Sequence, residues 1–372
     1  MNSDELKKDF FWPEPSEGYR SWASAPTIKM DLGGLFYADE SDYEFSHMVW
    51  AAKNVAQIAE VACREDDVPR IEANILDRRS FNAAVGKGDD GYNIGVLRGF
   101  VSGAVVASTS LSIRLPQIGD DRNALLYAGI MIQFVTAHEV THARNGHVDF
   151  KRAKRPGTLM AEAVESTDWT WSLISQTLEY DADAGGFLHA ANNVLRLEQR
   201  RGLNGAAFVM RTSEAEMTAQ SRILGRAIGT YFLLTHGEIA IPGDAHTKTH
   251  PPAIVRCTSA YLVFFEIVSR VDGLSQEGVR QCLEAYVTGC SEAEIVLGEG
   301  RNALLAVTEL DDEPFRLTGF HLSEPGNFVP SMYMRRNMMS EETRAYLARL
   351  QACWPTIKPE LLKLKLGSHN LA

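Results

Sequence analysis

The sequence predicts an α+β fold. A small mixed sheet packs on one buried helix carrying His138-Glu139-Val140-Thr141-His142 and on a second helix carrying Glu179, with a mainly helical C-terminal region beyond. Three observations predict it. Short runs with turns between them fill residues 70–97, as strands do. The His-Glu motif closes a stretch, 124–137, that is apolar almost all round, as a buried helix is. From about 205 onward helical periodicity dominates, apart from a loop-rich stretch at 308–332. The expected segments are an N-terminal arm and helix (1–65), a central α+β domain (66–268) and a mainly helical region (269–372).

Residues 1–44 carry Pro13, Pro15 and Pro26 among Phe10, Phe11, Trp12, Tyr19 and Trp22. Rings in a proline-rich stretch read as an irregular arm that docks on the body. From 44 to 64 the spacing of Phe45, Met48, Val49, Ala52, Val55 and Ile58 predicts a helix. Arg70–Leu76 alternates as a strand, Phe81–Val85 is a short second strand and Tyr92–Leu97 a third. The glycines at 86, 88 and 91 form a turn cluster. They lack the spacing of a phosphate-binding loop. Gly99–Ser112 is small and apolar, a helix to pack on the sheet, and Gly119-Asp120-Asp121 is a turn that starts the buried helix. Gly146 stops that helix, since glycine is the usual residue just past a last turn. Lys151–Gly157 reads as a basic, solvated turn. A long helix from about 159 to 190 follows, then helical pattern over 205–238. Pro242-Gly243-Asp244 is a break, and a new helix starts near Pro252.

The chemistry is centred on 138–142. An α-helix repeats every ~3.6 residues, so histidines four apart share a face and can bind one ion. Glu139 then lies beside the ion and can act as general base. With 10 histidines in 372 residues the motif arises by chance in roughly one or two such chains per hundred. A chance copy would fall on a polar surface helix, whereas two histidines and a glutamate on a buried one need partners. A catalytic zinc ion takes three protein ligands. Glu179, 37 residues beyond His142 and on a later helix, is one candidate for the third. Asp183, one turn further, can accept a hydrogen bond from the far ring nitrogen of His138 or His142. His147 is the rival third ligand. Its gap of five residues from His142 is one short of the spacing in zinc peptidases with three histidine ligands, which places it beside the site or at the helix end.

Composition bounds the rest. A formal net charge of −11 argues against nucleic acid as a general partner. Five cysteines, at 63, 257, 282, 290 and 353, form no CxxC pair, as expected of a reduced, cytoplasmic chain. The first residues lack the apolar core of a signal peptide. No apolar run reaches the roughly 20 residues of a membrane span.

The motif helix, then Glu179-x-x-Ala182-Asp183, then His250-Pro251-Pro252-x-x-x-Arg256, in that order, resembles the HtpX and CAAX-prenyl-protease group of gluzincin metallopeptidases. Asn82-Ala83, Ile94-Gly95-Val96 and Gly99 are similar to the strand region of that group. The likeness covers roughly residues 70–260. It departs in that members of the group are membrane-anchored, and it leaves out 1–65 and 270–372. It implies a zincin-like core and a zinc ion held by His138, His142 and Glu179. It makes Glu139 the catalytic base and Asp183 the support behind a ligand. His250 or Arg256 would stand near the developing oxyanion, and Asn82 near the substrate backbone. The expected activity is hydrolysis of a peptide or protein substrate, laid extended along 81–85 or 92–97 as an added edge strand. The competing expectation is a non-proteolytic zinc-binding or interaction module.

Overall fold

The short runs over residues 70–97 form a sheet in the computed structural model, which describes residues 13–37, 45–64, 68–115, 125–154, 160–161, 169–202, 205–236, 241–308, 333–338 and 340–366. Strands β1 (Arg70–Leu76), β2 (Ala83–Lys87), β3 (Gly91–Leu97) and β4 (Met160–Ala161) lie in the order β1-β3-β2-β4. β1 runs parallel to β3 with Ala73 beside Ile94, and β2 runs antiparallel to β3 with Val85 beside Ile94. The sheet is therefore mixed. Its geometry corrects the edge expected for a substrate. β3 is interior, as its run of buried residues requires. The outer side of β2 carries the chain's own β4, through Ala84–Ala161 and Val85–Met160. The turn between β2 and β3 is tighter than the glycine cluster suggested, because Gly86 and Lys87 belong to β2.

The N-terminal stretch is also corrected. Over its described part it forms two helices, α1 (Glu17–Ser24) and α2 (Pro26–Leu32). Ser16 caps α1 by accepting from the Tyr19 N–H, and Pro26 opens α2 at a first-turn position that needs no N–H. Docking through rings is what holds these helices down. Tyr19 is buried and donates its hydroxyl to the Ile94 carbonyl at 2.7 Å, with Trp22 edge-on to it. Phe10, Phe11 and Trp12 lie outside the described residues.

α3 (Phe45–Ala62) and α4 (Arg98–Arg114) form where periodicity placed them and cover the sheet together with α5 (Leu126–Arg144), the motif helix. The turn expected at 119–121 lies outside the described residues. α5 ends at Asn145 and Gly146, whose φ of 78° is the left-handed cap conformation. The basic stretch that follows is not a loop up to residue 154. It is helix α6 (His147–Lys154), which turns back under α5. α7 (Trp169–Val194) then runs along α5, starting later than the sequence suggested because β4 comes first.

Residues from 197 hold an unexpected hairpin, β5 (Leu197–Gly202) and β6 (Gly205–Met210), with β7 (Val271–Asp272) parallel to β6. α8 (Glu214–His236), a short 3-10 turn (Ala245–Thr247), α9 (Ala253–Val268), α10 (Gln276–Thr308), α11 (Tyr333–Met338) and α12 (Glu341–Leu364) complete the described chain. The loop-rich stretch expected at 308–332 lies outside it beyond Thr308. One core cluster takes buried side chains from Phe36 through to Leu350, so all three sequence segments feed the same interior. Among the described residues no helix is long and apolar enough to cross a membrane.

Candidate metal centre

The site is assembled where α7 lies against the last two turns of α5. That approach is close because α7 carries Gly185 and Gly186 there. A Cβ on Gly185 would stand 2.2 Å from Thr141 Oγ1, and one on Gly186 would stand 2.8 Å from the Phe134 carbonyl. With no side chain at either position, Glu179 reaches the two histidines. His138 Nε2 and His142 Nε2 are 3.0 Å apart, and Glu179 Oε2 lies 3.2 Å from the first and 3.3 Å from the second. Ligand atoms of all three fall within 4.8 Å of one another, and all three residues are buried.

Each histidine has its far ring nitrogen held by a different group. His138 Nδ1 stands 3.0 Å from Asp183 Oδ1. A proton on that nitrogen leaves the Nε2 lone pair facing the shared point. His142 Nδ1 is 2.9 Å from His147 Nδ1, and His147 Nε2 is 3.2 Å from Asp181 Oδ2. Asn145 donates to the same Asp181 oxygen at 2.5 Å. His147 therefore stands behind His142 at the start of α6, not among the three converging atoms.

Arg256, on α9, grips Asp183 with two bonds, from Nε at 2.7 Å and Nη2 at 2.6 Å, and lies over the ring of Phe232. It is fully buried. This placement corrects the expectation that Arg256 faces a developing oxyanion, because its planar fork is matched to a carboxylate and already engaged. His250 sits closer in, its Nε2 3.1 Å from Glu179 Oε2 and its Nδ1 3.1 Å from Thr249 Oγ1. Glu139 lies between the two histidines in sequence and is buried with them. Asn82 serves the start of β2. Its Oδ1 accepts from the Ala83 N–H at 2.6 Å, and its backbone pairs with Ser80 and Leu97.

Burial and charge pull these groups apart. For His138 burial favours the neutral ring, but Asp183 and Glu179 overcome it and raise the pKa to about 10. For His142 burial prevails over Glu179, with His138 and His147 adding to the fall, and the pKa drops to about 3. Burial works to raise Glu179, yet His250, His142 and Lys151 hold it well below the usual carboxylate range. Burial also opposes ionisation of Asp183, and Arg256 foremost brings it down to about 2. In the absence of an ion the pair of histidines thus carries one net positive charge, on His138, between two buried carboxylates. A divalent cation at the shared point supplies that positive charge without a proton. Two imidazole nitrogens and one carboxylate oxygen are a donor set that suits zinc.

Two participants escaped the sequence reading. Lys151, taken as part of a solvated turn, is buried with its Nζ 3.4 Å from Glu179 Oε1. Asp181, to which the sequence reading gave no part in the site, is buried behind His147. One signal was available: His147 and Lys151 are four apart, a helical spacing that puts both on one face. Comparison with protein-family models, with curated proteins and with solved structures gave no match.

Proposed function

We propose that this chain is a zinc-dependent endopeptidase of the gluzincin type, built on a zincin-like core. The observation that carries the reading is the convergence of His138, His142 and Glu179 from two helices, with Glu139 set between the histidines. His138, His142 and Glu179 would hold the zinc ion, which would supply a Lewis acid for the scissile carbonyl and for the attacking water. Glu139 takes the proton from that water and delivers it to the leaving amine. His250, beside Glu179, donates to the developing oxyanion. Asp183 fixes the His138 ring, and Arg256 acts through Asp183 by holding its carboxylate in place and ionised.

One observation favours a second reading, a non-proteolytic zinc-binding or interaction module. His138, Glu139, His142, Glu179 and His250 are each less than a tenth exposed, so a peptide reaches them only after some cover is drawn back. Elemental analysis of the purified protein and peptide-cleavage assays separate the two. For an endopeptidase, about one zinc per chain is expected in wild type, lost in Glu179→Ala and kept in Glu139→Gln. Cleavage by Glu139→Gln is expected to fall by about 10²-fold or more. Cleavage at the wild-type rate by Glu139→Gln would overturn the mechanism. Stoichiometric zinc with no cleavage in either form leaves the module.

A further inference from the structure

The two oxygens of Glu179 have different neighbours. Oε2 faces His138 Nε2 at 3.2 Å, His142 Nε2 at 3.3 Å and His250 Nε2 at 3.1 Å. Oε1 lies 3.4 Å from Lys151 Nζ. Lys151 reaches it because α6 starts directly after Gly146 and folds back, bringing His147 and Lys151 to one face one turn apart. The lysine side chain is only 11% exposed, although the surrounding residues Arg152 and Lys154 are open to solvent. A buried ammonium is costly unless it is paired, and Glu179 is the partner that repays the cost.

We propose that Lys151 is a positioning residue that keeps Glu179 a one-oxygen ligand. The inference rests on the metal reading given above. A glutamate can bind an ion through one oxygen or both. With both, it fills the coordination position that a catalytic site keeps open for water or substrate. An ammonium on Oε1 competes for that oxygen's lone pairs and turns the carboxylate so that Oε2 alone addresses the ion. Lys151 thereby keeps the fourth position open without touching it. A lysine four residues beyond His147 also makes α6 the element that supports both ligands from behind, His142 through His147 and Glu179 through Lys151.

The test is Co2+ substitution, read by visible absorption with no assay of activity. Wild type is expected to give the intense bands of a four-coordinate ion. In Lys151→Met, which keeps the apolar stem, the carboxylate swings to bind through both oxygens. The bands are then expected to weaken several-fold, as for a five-coordinate ion, and Lys151→Arg is expected to restore them. Lys151→Gln removes the charge with a polar side chain and reports the same change if the Met variant does not fold. A wild-type cobalt spectrum in folded Lys151→Met or Lys151→Gln would overturn the proposal while leaving the metal site intact. Failure of the wild type itself to bind Co2+ or Zn2+ would bring down the metal reading, and this inference with it.

Discussion

A histidine that gives one ring nitrogen to a metal must carry its proton on the other, and the two histidines of this site are served unequally. His138 has a carboxylate, Asp183, itself clamped by Arg256. His142 has a second imidazole, His147, with Asp181 beyond it. If His142 turns its Nε2 lone pair inward, its Nδ1–H donates to His147 Nδ1, and the His147 proton then sits on Nε2 beside Asp181. Partners of this kind are worth about 10–100-fold in metal affinity. Asp183→Asn and His147→Ala are each expected to weaken zinc binding within that range, measured by competition with a chromophoric chelator. Unchanged affinity in His147→Ala would mean that the His142 ring is held by packing alone. His138 and His142 were legible as a pair because a spacing of four is a property of a single helix, whereas Glu179, on another helix, was one candidate until the family resemblance singled it out. Lys151 and Asp181 were not legible, because their burial comes from α6 folding under α5, a contact that no local pattern encodes.

Elements were legible where their own pattern decided them. β1, read from its alternation, and β3, read as a short run after a turn cluster, form where expected. The hairpin β5–β6 was missed because Leu-Glu-Gln-Arg-Arg-Gly shows no alternating apolar face, although Asn204-Gly205 is a strong turn signal. The first two helices were missed because three prolines suggested a loop, whereas Pro26 sits at a helix start. Helix pairing shows what such readings cannot reach. Arg222 and Arg226 on α8 both bind Glu292 on α10, at 2.9 and 2.8 Å to the same oxygen, and Arg226 reaches on to the Tyr127 hydroxyl on α5 at 2.9 Å. Burial works to raise the Glu292 carboxyl, but the two arginines outweigh it and hold it below its ordinary value of 4.5. A depressed folded pKa stabilises the fold above 4.5, and the contribution is lost as pH falls from there through the lower folded value. Glu292→Gln leaves Arg226 buried without its anion and is expected to cost about 3 kcal/mol at neutral pH. Urea unfolding should show that deficit at pH 7 and a shrinking one in acid. A deficit independent of pH would mean that shape, not charge, matters at this position.

At the scale of the whole molecule the site is braced by a helix some two hundred residues away in sequence. Ile357 and Leu361 of α12 pack with Phe150 of α6 and Leu178 of α7. Tyr346 donates to Gln176 Oε1 on α7 at 2.6 Å, and the Leu366 N–H donates to the Arg144 carbonyl at the end of α5 at 2.6 Å. Gly146 leaves room for this contact, since a Cβ there would stand 2.6 Å from that of Leu364. The three elements that carry the candidate ligands and the groups behind them are thus tied together by one later helix. The sequence marked this region only as mainly helical and gave neither the bounds of the helix nor its docking, because amphipathic pattern names a buried face without naming its partner. Leu361 is fully buried, so Leu361→Ala is expected to cost about 2–5 kcal/mol in stability. If α12 braces the ligands, the loss does not stay local. Amides of 144–151 are expected to exchange faster, and zinc affinity is expected to fall although no ligand has changed. A lower melting temperature with wild-type zinc affinity and unchanged exchange over 144–151 would confine α12 to holding the fold. The paired outcome would make it part of the apparatus that keeps His142, His147, Lys151 and Glu179 in register.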